Sequence, residues 1–445
     1  MPSTEILRSW FSEQNSRTQS SVFLRLPEAK MWIRDSIALL AIAVPLTAAL
    51  DNGLALKPPM GWISWERFRC EIDCDQYPND CISENLYKRI ADELVDGGYR
   101  DVGYVHVNID DCWALKERDS NGRMVADPKR FPSGMKGLAK YMHDRGLKLG
   151  IYSDAGSKTC AGYPGSRDYE DIDAQTYADW DIDMLKYDGC FIANEADIPN
   201  LYMKMTQALN KTGKQIVYSC EWPLYQKNTE PDWGKIAASC NLWRNYDDIA
   251  DTFESVKRTI DVFVKNQDLY VKHQKPGAFF DPDMLILGDY GLSKDEARVQ
   301  MAIWAIWGAP LFMSNDLAKI DEDSKKLLLN RGVIGINQDP EGIMGKMIKQ
   351  ARDVRIFAKP ILPKSGSSYS FGLALINLSD GGNPQRVNQT ASEYGLTDPR
   401  GYRITDEFDN LELGIVKPGD FLAIDVNPSG ARLLKAVLMF STPKE

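Results

Sequence analysis

The stretch MLKYDGC, residues 184–190, is a short apolar run that ends in two charged residues, a glycine and a cysteine. Lys186 and Asp188 are two residues apart, so in a strand both side chains point to the same face, just before a turn. Alone, this heptapeptide is typical of a strand end with a surface ion pair. Its meaning depends on how often the same arrangement returns along the chain.

Eight β-type runs alternate with amphipathic helical patterns from Leu50 to about residue 340. The runs are GWISW (61–65), YVHVNIDDCW (104–113), LKLGIYSDAG (147–156), DMLKYDGC (183–190), QIVYSCEW (215–222), NLWRNYDDI (241–249), FFDPDMLIL (279–287) and APLFMSND (309–316). One helix start is marked by Ser293 and Glu296, which stand in capping-box register. Eight strand–helix units predict a (β/α)8 TIM barrel over residues 50–343. A doubly wound open sheet, the alternative, usually carries a Gly-rich phosphate loop after its first strand, and this sequence has none.

Beyond residue 343 the pattern changes to short strands separated by Pro, Gly and Asn turns. Examples are VRIFAKPI (354–361), YSFGLALINLS (369–379), YRITDEF (402–408) and GDFLAIDVNPSGARLLKAVL (419–438). Without strong helical periodicity, these runs predict an antiparallel β-sandwich domain over residues 344–445.

The N-terminal 49 residues are interpreted as an extension followed by a signal peptide. Met31 and Arg34 precede an apolar run from Ile37 to Leu50, with small residues near its end. This layout is typical of a signal peptide, and we expect translation to start at Met31. The run is shorter than the ~20 residues of a membrane span, so no stable membrane insertion is expected, although a signal anchor is the alternative.

Net charge and cysteine content limit which ligands and which cellular compartments suit this chain. A net charge of −10 argues against nucleic-acid binding. An even count of eight cysteines suggests disulfides in an oxidising compartment, although sequence alone permits 105 pairings. A zinc site is disfavoured because no CxxC pair occurs and there are only three histidines. Sequons at Asn210, Asn377 and Asn388 would be glycosylated only in the secretory pathway.

Polar and aromatic residues stand at seven of the eight predicted strand ends, where barrel enzymes place their active sites. They are Trp65, Asp110, Asp111, Tyr152, Lys186, Asp188, Glu221, Arg244, Asp248 and Asp283. Carboxylates in an aromatic-lined pocket favour glycoside hydrolysis, which needs no cofactor. A divalent-metal enzyme could use Asp110, Asp111 and Asp283, but the interleaved Lys186 and Arg244 would neutralise these ligands.

Nine motifs in order resemble one known family. LDNGLALKPPMGWISWERFRC (50–70), DDCW (110–113), GIYSDAG (150–156), KTCAGYPGS (158–166), LKYDGC (185–190), YSCEWP (218–223), WRNYDDI (243–249), DPDML (281–285) and INQDP (336–340) closely resemble the lysosomal α-galactosidase and α-N-acetylgalactosaminidase family. These are retaining glycosidases of clan D, glycoside hydrolase family 27. The resemblance implies that Asp188 is the nucleophile and Asp248 the general acid/base.

The same resemblance implies further contacts and pairings. The implied sugar-binding residues are Trp65, Asp110, Asp111, Tyr152, Cys160, Lys186, Glu221, Leu224, Tyr225, Arg244, Asp283 and Met284. The implied disulfides are Cys70–Cys112, Cys74–Cys81, Cys160–Cys190 and Cys220–Cys240. One departure is that relatives usually carry asparagine directly before DPDML, where this chain has Phe280.

Glu221 and Leu224 decide the expected substrate. The galactosidases of the family carry Glu and Leu here and the aminidases carry Ser and Ala, so an α-galactoside is expected. An α-N-acetylgalactosaminidase or a dual-specificity enzyme is the first alternative, and a catalytically inactive sugar-binding glycoprotein the second. The resemblance also implies a homodimer in the lysosome, reached by the secretory pathway, with secretion as an alternative.

Overall fold

The computed structural model describes Leu50 and residues 52–440. The predicted extension and signal peptide therefore lie outside the described residues. Eight parallel strands form the first sheet: β1 (Met60–Ile63), β2 (His106–Asn108), β3 (Lys148–Asp154), β4 (Met184–Asp188), β5 (Val217–Cys220), β6 (Leu242–Arg244), β7 (Phe279–Asp281) and β8 (Leu311–Met313). Consecutive strands are neighbours, and β1 also pairs with β8. The sheet closes just beyond β7, where the Leu285 N–H donates to the Phe312 carbonyl at 2.7 Å. The predicted barrel is confirmed.

Helices flank this sheet between its strands. They are α1 (Trp65–Phe68), α2 (Glu84–Asp96), α3 (Tyr99–Val102), α4 (Gly134–His143), α5 (Glu170–Asp179), α6 (Ile198–Thr212), α7 (Trp222–Tyr225), α8 (Trp233–Ser239), α9 (Phe253–His273), α10 (Lys294–Trp307), α11 (Glu322–Leu328) and α12 (Arg331–Asn337). Short 3-10 helices span Glu195–Asp197 and Ala391–Tyr394. The predicted capping box opens α10, with the Ser293 side chain accepting from the Glu296 N–H and the Glu296 side chain accepting from the Ser293 N–H.

The C-terminal strands form two antiparallel sheets. They are β9 (Lys346–Ala351), β10 (Val354–Ser365), β11 (Ser368–Asn377), β12 (Gln385–Thr390), β13 (Tyr402–Asp406), β14 (Leu411–Val416), β15 (Phe421–Val426) and β16 (Gly430–Leu438). A six-stranded sheet has the order β14-β13-β16-β11-β10-β9, and β12 pairs with β15. The two sheets enclose a hydrophobic cluster, so the predicted sandwich is confirmed.

Alternating residues of the larger sheet serve two different cores. On β11, Leu373 and Leu375 pack between the two sheets, whereas Ala374 and Ile376 belong to the barrel's cluster. This period of two is expected for a sheet that is buried on both faces. The β domain thus packs closely against the barrel through one sheet face. Among the described residues, no helix is long and apolar enough to cross a membrane.

All four implied disulfides are present, namely Cys70–Cys112, Cys74–Cys81, Cys160–Cys190 and Cys220–Cys240. Their Cα–Cα distances lie between 5.2 and 6.0 Å, within the usual range. All four lie in the barrel, and several brace the loops that follow its strands.

Candidate active site

The predicted site residues gather at the carboxyl ends of the barrel strands. Tyr152, Lys186 and Arg244 lie in the last residues of their strands, and Asp188 ends β4. Others follow a strand within two or three residues; they are Trp65, Asp110, Asp111, Glu221 and Asp283. Parallel strands of a barrel end on one face, so residues far apart in sequence meet there.

Asp188 is buried and held by three donors. Its Oδ2 accepts a hydrogen bond from the Tyr152 hydroxyl at 2.7 Å. Its Oδ1 accepts from the Tyr225 hydroxyl at 2.6 Å and from the Gly189 N–H at 2.8 Å. Cys160 Sγ lies 3.3 Å from Oδ2, a contact without a proton because this sulfur is in a disulfide. These three donors fix the orientation of the Asp188 side chain.

Lys186 forms its shortest ion pair with a residue of another strand end. Its Nζ lies 2.8 Å from Asp110 Oδ2 and 3.5 Å from Glu221 Oε1. Burial alone would lower the pKa of Lys186, but Asp110, Glu221 and Asp188 raise that pKa well above its usual value. The lysine is therefore a fixed positive charge among the carboxylates.

Arg244 joins three carboxylates on the other side of the site. Its guanidinium lies 3.2 Å from Asp283 Oδ1, 3.6 Å from Glu221 Oε1 and 2.9 Å from Asp248 Oδ1. Burial alone would raise the pKa of Asp248, but Arg244 and Lys186 bring it down to about 2. The side chain of Asp248 is 48% exposed, so it stands at the rim, whereas Arg244 is buried.

Burial raises the pKa of the inner carboxyl groups. For Glu221, burial and then Asp188 raise the pKa well above its usual value, against the lowering effect of Lys186 and Arg244. Burial also raises the pKa of Asp110, Asp111 and Asp283. Each of these groups faces a cation or a backbone N–H, so the site is a network of charges sheltered from water.

The loop after β3 is tied to Asp111. Asp111 Oδ2 accepts from the Ala161 N–H at 2.9 Å, beside Cys160. Its Oδ1 accepts from the Cys112 N–H at 2.7 Å. Asp111 therefore fixes the exposed rim segment that carries Cys160.

The remaining predicted residues follow the ends of barrel strands and form no ion pairs. Trp65 begins α1, half-buried, with the Arg69 guanidinium 5.5 Å from its ring centre. Leu224 is partly buried, one turn after Glu221, to whose carbonyl its N–H donates at 3.1 Å. Met284 is buried and lines a cavity of about 20 Å³ beneath the site, a volume that suits one water molecule.

Phe280 does not displace the end of β7. It pairs in register with Trp243, and Arg244 pairs with Asp281. The Phe280 ring stacks on Tyr270 at 4.2 Å and meets Trp243 at 5.0 Å. The phenylalanine faces the surrounding helices, so the departure from the family pattern leaves Asp283 in contact with Arg244.

Sequence reasoning missed two buried aspartates beside the site. Asp154 ends β3, two residues after Tyr152, and Asp281 ends β7, two residues before Asp283. Burial raises the pKa of Asp281 to about 6. The signal was available, because residues two apart on a strand share a face.

One glycosylation prediction conflicts with the fold. Asn377 is fully buried, and its Oδ1 accepts from the Ser379 N–H at 3.1 Å. A glycan on this amide would have no room, so Asn377 is corrected to a structural residue. Asn210 and Asn388 are exposed and stay predictions.

The side chains fit a metal ion poorly. One group of close potential ligands among the described residues is Asp154, Cys160, Asp188 and Cys190, but its two cysteines form a disulfide and offer no thiolate. Asp110 and Asp283, two of the three ligands of the rival metal-enzyme hypothesis, are paired with Lys186 and Arg244 respectively. A hard cation would have to displace these ammonium and guanidinium groups.

Known proteins resemble this chain in both sequence and structure. A family model described as alpha galactosidase A matches residues 57–339. An alpha-N-acetylgalactosaminidase of Gallus gallus is 45% identical over 399 residues, 89% of this chain and 96% of the relative. The alpha-galactosidase A of Homo sapiens is 44% identical over 420 residues, 93% of this chain and 96% of the relative. The crystal structure of alpha-galactosidase I from Mortierella vinacea is similar with a TM-score of 0.75 and 30% identity, covering 87% of this chain and 98% of that one.

Proposed function

The chain belongs to the alpha galactosidase A family, and from that premise we propose that it is a retaining exo-glycosidase. It removes terminal α-linked galactose from glycolipids, glycoproteins or oligosaccharides. The observation that supports this most strongly is the carboxylate of Asp188, held by Tyr152, Tyr225 and Gly189 at the barrel mouth. A nucleophile must be aimed at the carbon that it attacks, and these three donors fix the orientation of the Asp188 side chain.

The reaction proceeds by two displacements. Asp188 attacks the anomeric carbon while Asp248 protonates the leaving oxygen, and the sugar becomes an ester of Asp188. Asp248 then takes a proton from water, whose oxygen attacks the same carbon and releases Asp188. Because the configuration inverts twice, the product keeps the α-configuration.

The sugar hydroxyls are bound by the charged groups around Asp188. Lys186 and Arg244 donate, Asp110, Asp111 and Asp283 accept, and Trp65 offers an apolar ring face. Such groups lose less on desolvation because they are already paired with one another. Glu221 and Leu224 occupy the space that an N-acetyl group at the 2-position would need, which favours galactose.

Covalent trapping tests this assignment. An α-galactoside with a good leaving group and a slowly hydrolysed sugar ester should label one residue, which peptide mass spectrometry should place at Asp188. Asp188→Asn should take up no label and lose turnover of every substrate. Label on another carboxyl group, or released sugar of inverted configuration, contradicts the proposal.

An α-N-acetylgalactosaminidase is the second candidate, because a relative with that name is similar over 89% of the chain. The side chains of Glu221 and Leu224 argue against it. Asp248 and Asp188 are both present, which argues against an inactive sugar-binding protein.

We further propose that the enzyme reaches the lysosome by the secretory pathway and acts as a homodimer. The four disulfides support an oxidising route. Fractionation of cells that express the full chain, compared with the culture medium, separates lysosome from secretion. Light scattering of the purified protein gives its oligomeric state.

A further inference from the structure

A second buried carboxyl group lies beside Asp188. Asp154 is fully buried at the end of β3 and pairs in register with Asp188 of β4. An oxygen of each side chain and the two sulfurs of the Cys160–Cys190 disulfide all lie within 4.8 Å of one another. The proposed reaction gives Asp154 no contact with the sugar, so its position needs another explanation.

Asp154 binds the backbone of two turns. Its Oδ1 accepts from the Gly156 N–H at 2.6 Å, and its Oδ2 accepts from the Cys190 N–H at 3.0 Å. Cys190 is two residues beyond Asp188, so the second bond holds the turn that carries Asp188. In the opposite direction, the Ala155 N–H donates to the Asp188 carbonyl at 2.9 Å. The two strand ends are therefore joined from both sides.

Steric contact makes this arrangement tight. A Cβ added at Gly156 would lie 1.9 Å from the Cys190 carbonyl oxygen, closer than any non-bonded contact. The backbones of the two turns thus touch directly, and the disulfide bridges the same two loops. A change at Asp154 would move the Cys190 turn, and Asp188 with it.

The charges around Asp154 favour its neutral form. Burial raises the pKa of Asp154 well above its usual value, and the nearby Asp188 raises it further. The hydrogen bonds from the N–H groups of Gly156 and Cys190 lower this pKa but do not offset the rise. The titratable groups that face it are acids from the neighbouring elements: Asp111, Tyr152, Asp188, Tyr202 and Tyr225. Two carboxyl groups this close do not both ionise readily.

We propose that Asp154 is a positioning residue for Asp188: its two side-chain oxygens anchor the turns at Gly156 and Cys190 and so aim the neighbouring carboxylate at the sugar. This inference rests on the proposed function, because it takes Asp188 as the nucleophile. It gives Asp154 a role in the rate of the reaction without a contact to substrate.

Two substitutions and a control test it. Asp154→Asn is neutral and keeps one oxygen acceptor, whereas Asp154→Ala removes both acceptors. Asp173→Ala is the control, because Asp173 is also fully buried but lies on α5, paired with Arg118. It reports what the loss of a buried carboxyl group does to the barrel in general.

The measurements are kcat, KM and the melting temperature. Asp154→Ala should lower kcat on the order of 100-fold with a KM change below about threefold, because misaiming affects the transition state most. Asp154→Asn should keep at least about a third of kcat and the native pH profile. Asp173→Ala should lower the melting temperature and leave kcat of the folded protein unchanged. An Asn variant as slow as the Ala variant, or an Ala variant that loses only stability, overturns the proposal.

Hydrogen exchange of the Cys190 and Gly156 amides gives a readout without substrate. The Cys190 amide should exchange faster in Asp154→Ala and remain protected in Asp154→Asn, whose single oxygen can still accept from it, whereas the Gly156 amide should exchange faster in both variants. If the native protein hydrolyses no α-galactoside but this exchange pattern holds, the proposed function fails and the anchoring stands. Native-like protection of Cys190 in the Ala variant overturns the anchoring itself.

Discussion

At the scale of single residues, the ion pair between Asp248 and Arg244 sets a pH dependence. Burial would raise the pKa of Asp248, but Arg244 and Lys186 bring that pKa down to about 2, whereas the proton donation proposed for Asp248 requires the neutral acid. A bound sugar excludes water from this exposed side chain, and desolvation raises a carboxyl pKa. Activity falls as pH rises through the pKa of the acid, so the basic limb of kcat/KM should lie at lower pH than that of kcat. Initial rates measured from about pH 3 to 7 check this, and coincident limbs contradict it.

Glu221 and Leu224 should set the choice between two sugars. The double variant Glu221→Ser, Leu224→Ala should open room for an acetyl group and remove the proposed partner of the galactose 2-hydroxyl. Losing a substrate hydrogen bond usually costs more discrimination than losing a methylene, which is worth about 1–3 kcal/mol. The double variant should therefore prefer α-N-acetylgalactosaminides. Leu224→Ala alone is the matched control, because it opens volume but keeps the carboxylate, and should not reverse the preference.

Residue patterns in the sequence located most of the charged residues of the site but not the ion pairs between them. The strand-end rule found Asp110 and Lys186, yet that they bind each other depends on cross-strand geometry that sequence does not contain. Asp154 was missed because only Tyr152 was chosen on its strand. Asn377 was misjudged because a sequon is a local pattern that does not report burial.

At the scale of elements, Phe280 ties β7 to the helices. Its ring lies 5.4 Å from Trp233 of α8 and 4.2 Å from Tyr270 of α9. Phe280→Asn, the residue usual in relatives, would put an amide among these rings and should cost about 4 kcal/mol of unfolding free energy. Phe280→Leu should cost about 1 kcal/mol, since it stays apolar. Urea unfolding of both variants measures these two losses of unfolding free energy. An Asn variant as stable as the Leu variant contradicts the prediction.

At the scale of the whole molecule, Lys359 of β10 joins the β domain to the barrel. Its buried Nζ donates to the Asn337 carbonyl at 3.2 Å and the Ala305 carbonyl at 3.4 Å, at the ends of α12 and α10. Burial lowers its pKa from 10.5 to about 7, although Asp339 raises it. The unfolded chain therefore binds an extra proton between these pH values.

This linkage predicts how stability changes with pH. Because the folded pKa is depressed, native stability falls as pH drops from about 10.5 to 7 and is constant with respect to this group below that. Relative to Lys359→Met, the native protein should gain about 1.4 kcal/mol of unfolding free energy per pH unit between pH 7 and 9. Unfolding of both proteins by urea measures the difference, and a flat difference over this range contradicts the burial of an uncharged amine.

The architecture was predictable because it repeats. Eight strand–helix units each carry the same signal, so an error in one unit leaves the barrel prediction intact. The β-sandwich was predictable as a class but not in its strand order, because antiparallel pairing depends on contacts distant in sequence. The division at residues 343 and 344 stays our proposal; α12 ends at Asn337 and β9 begins at Lys346.

The most direct measurement is the hydrolysis of two matched chromogenic substrates, an α-galactoside and an α-N-acetylgalactosaminide, by the purified native protein. Both carry the same leaving group, so the ratio of their kcat/KM values reports only the recognition of the 2-position. At about pH 4.5, near the usual carboxyl pKa values, the ratio should favour the α-galactoside. A ratio that favours the N-acetyl sugar contradicts the assignment of Glu221 and Leu224 and makes the protein an α-N-acetylgalactosaminidase. If the protein hydrolyses neither substrate, the assignment of Asp188 and Asp248 is contradicted.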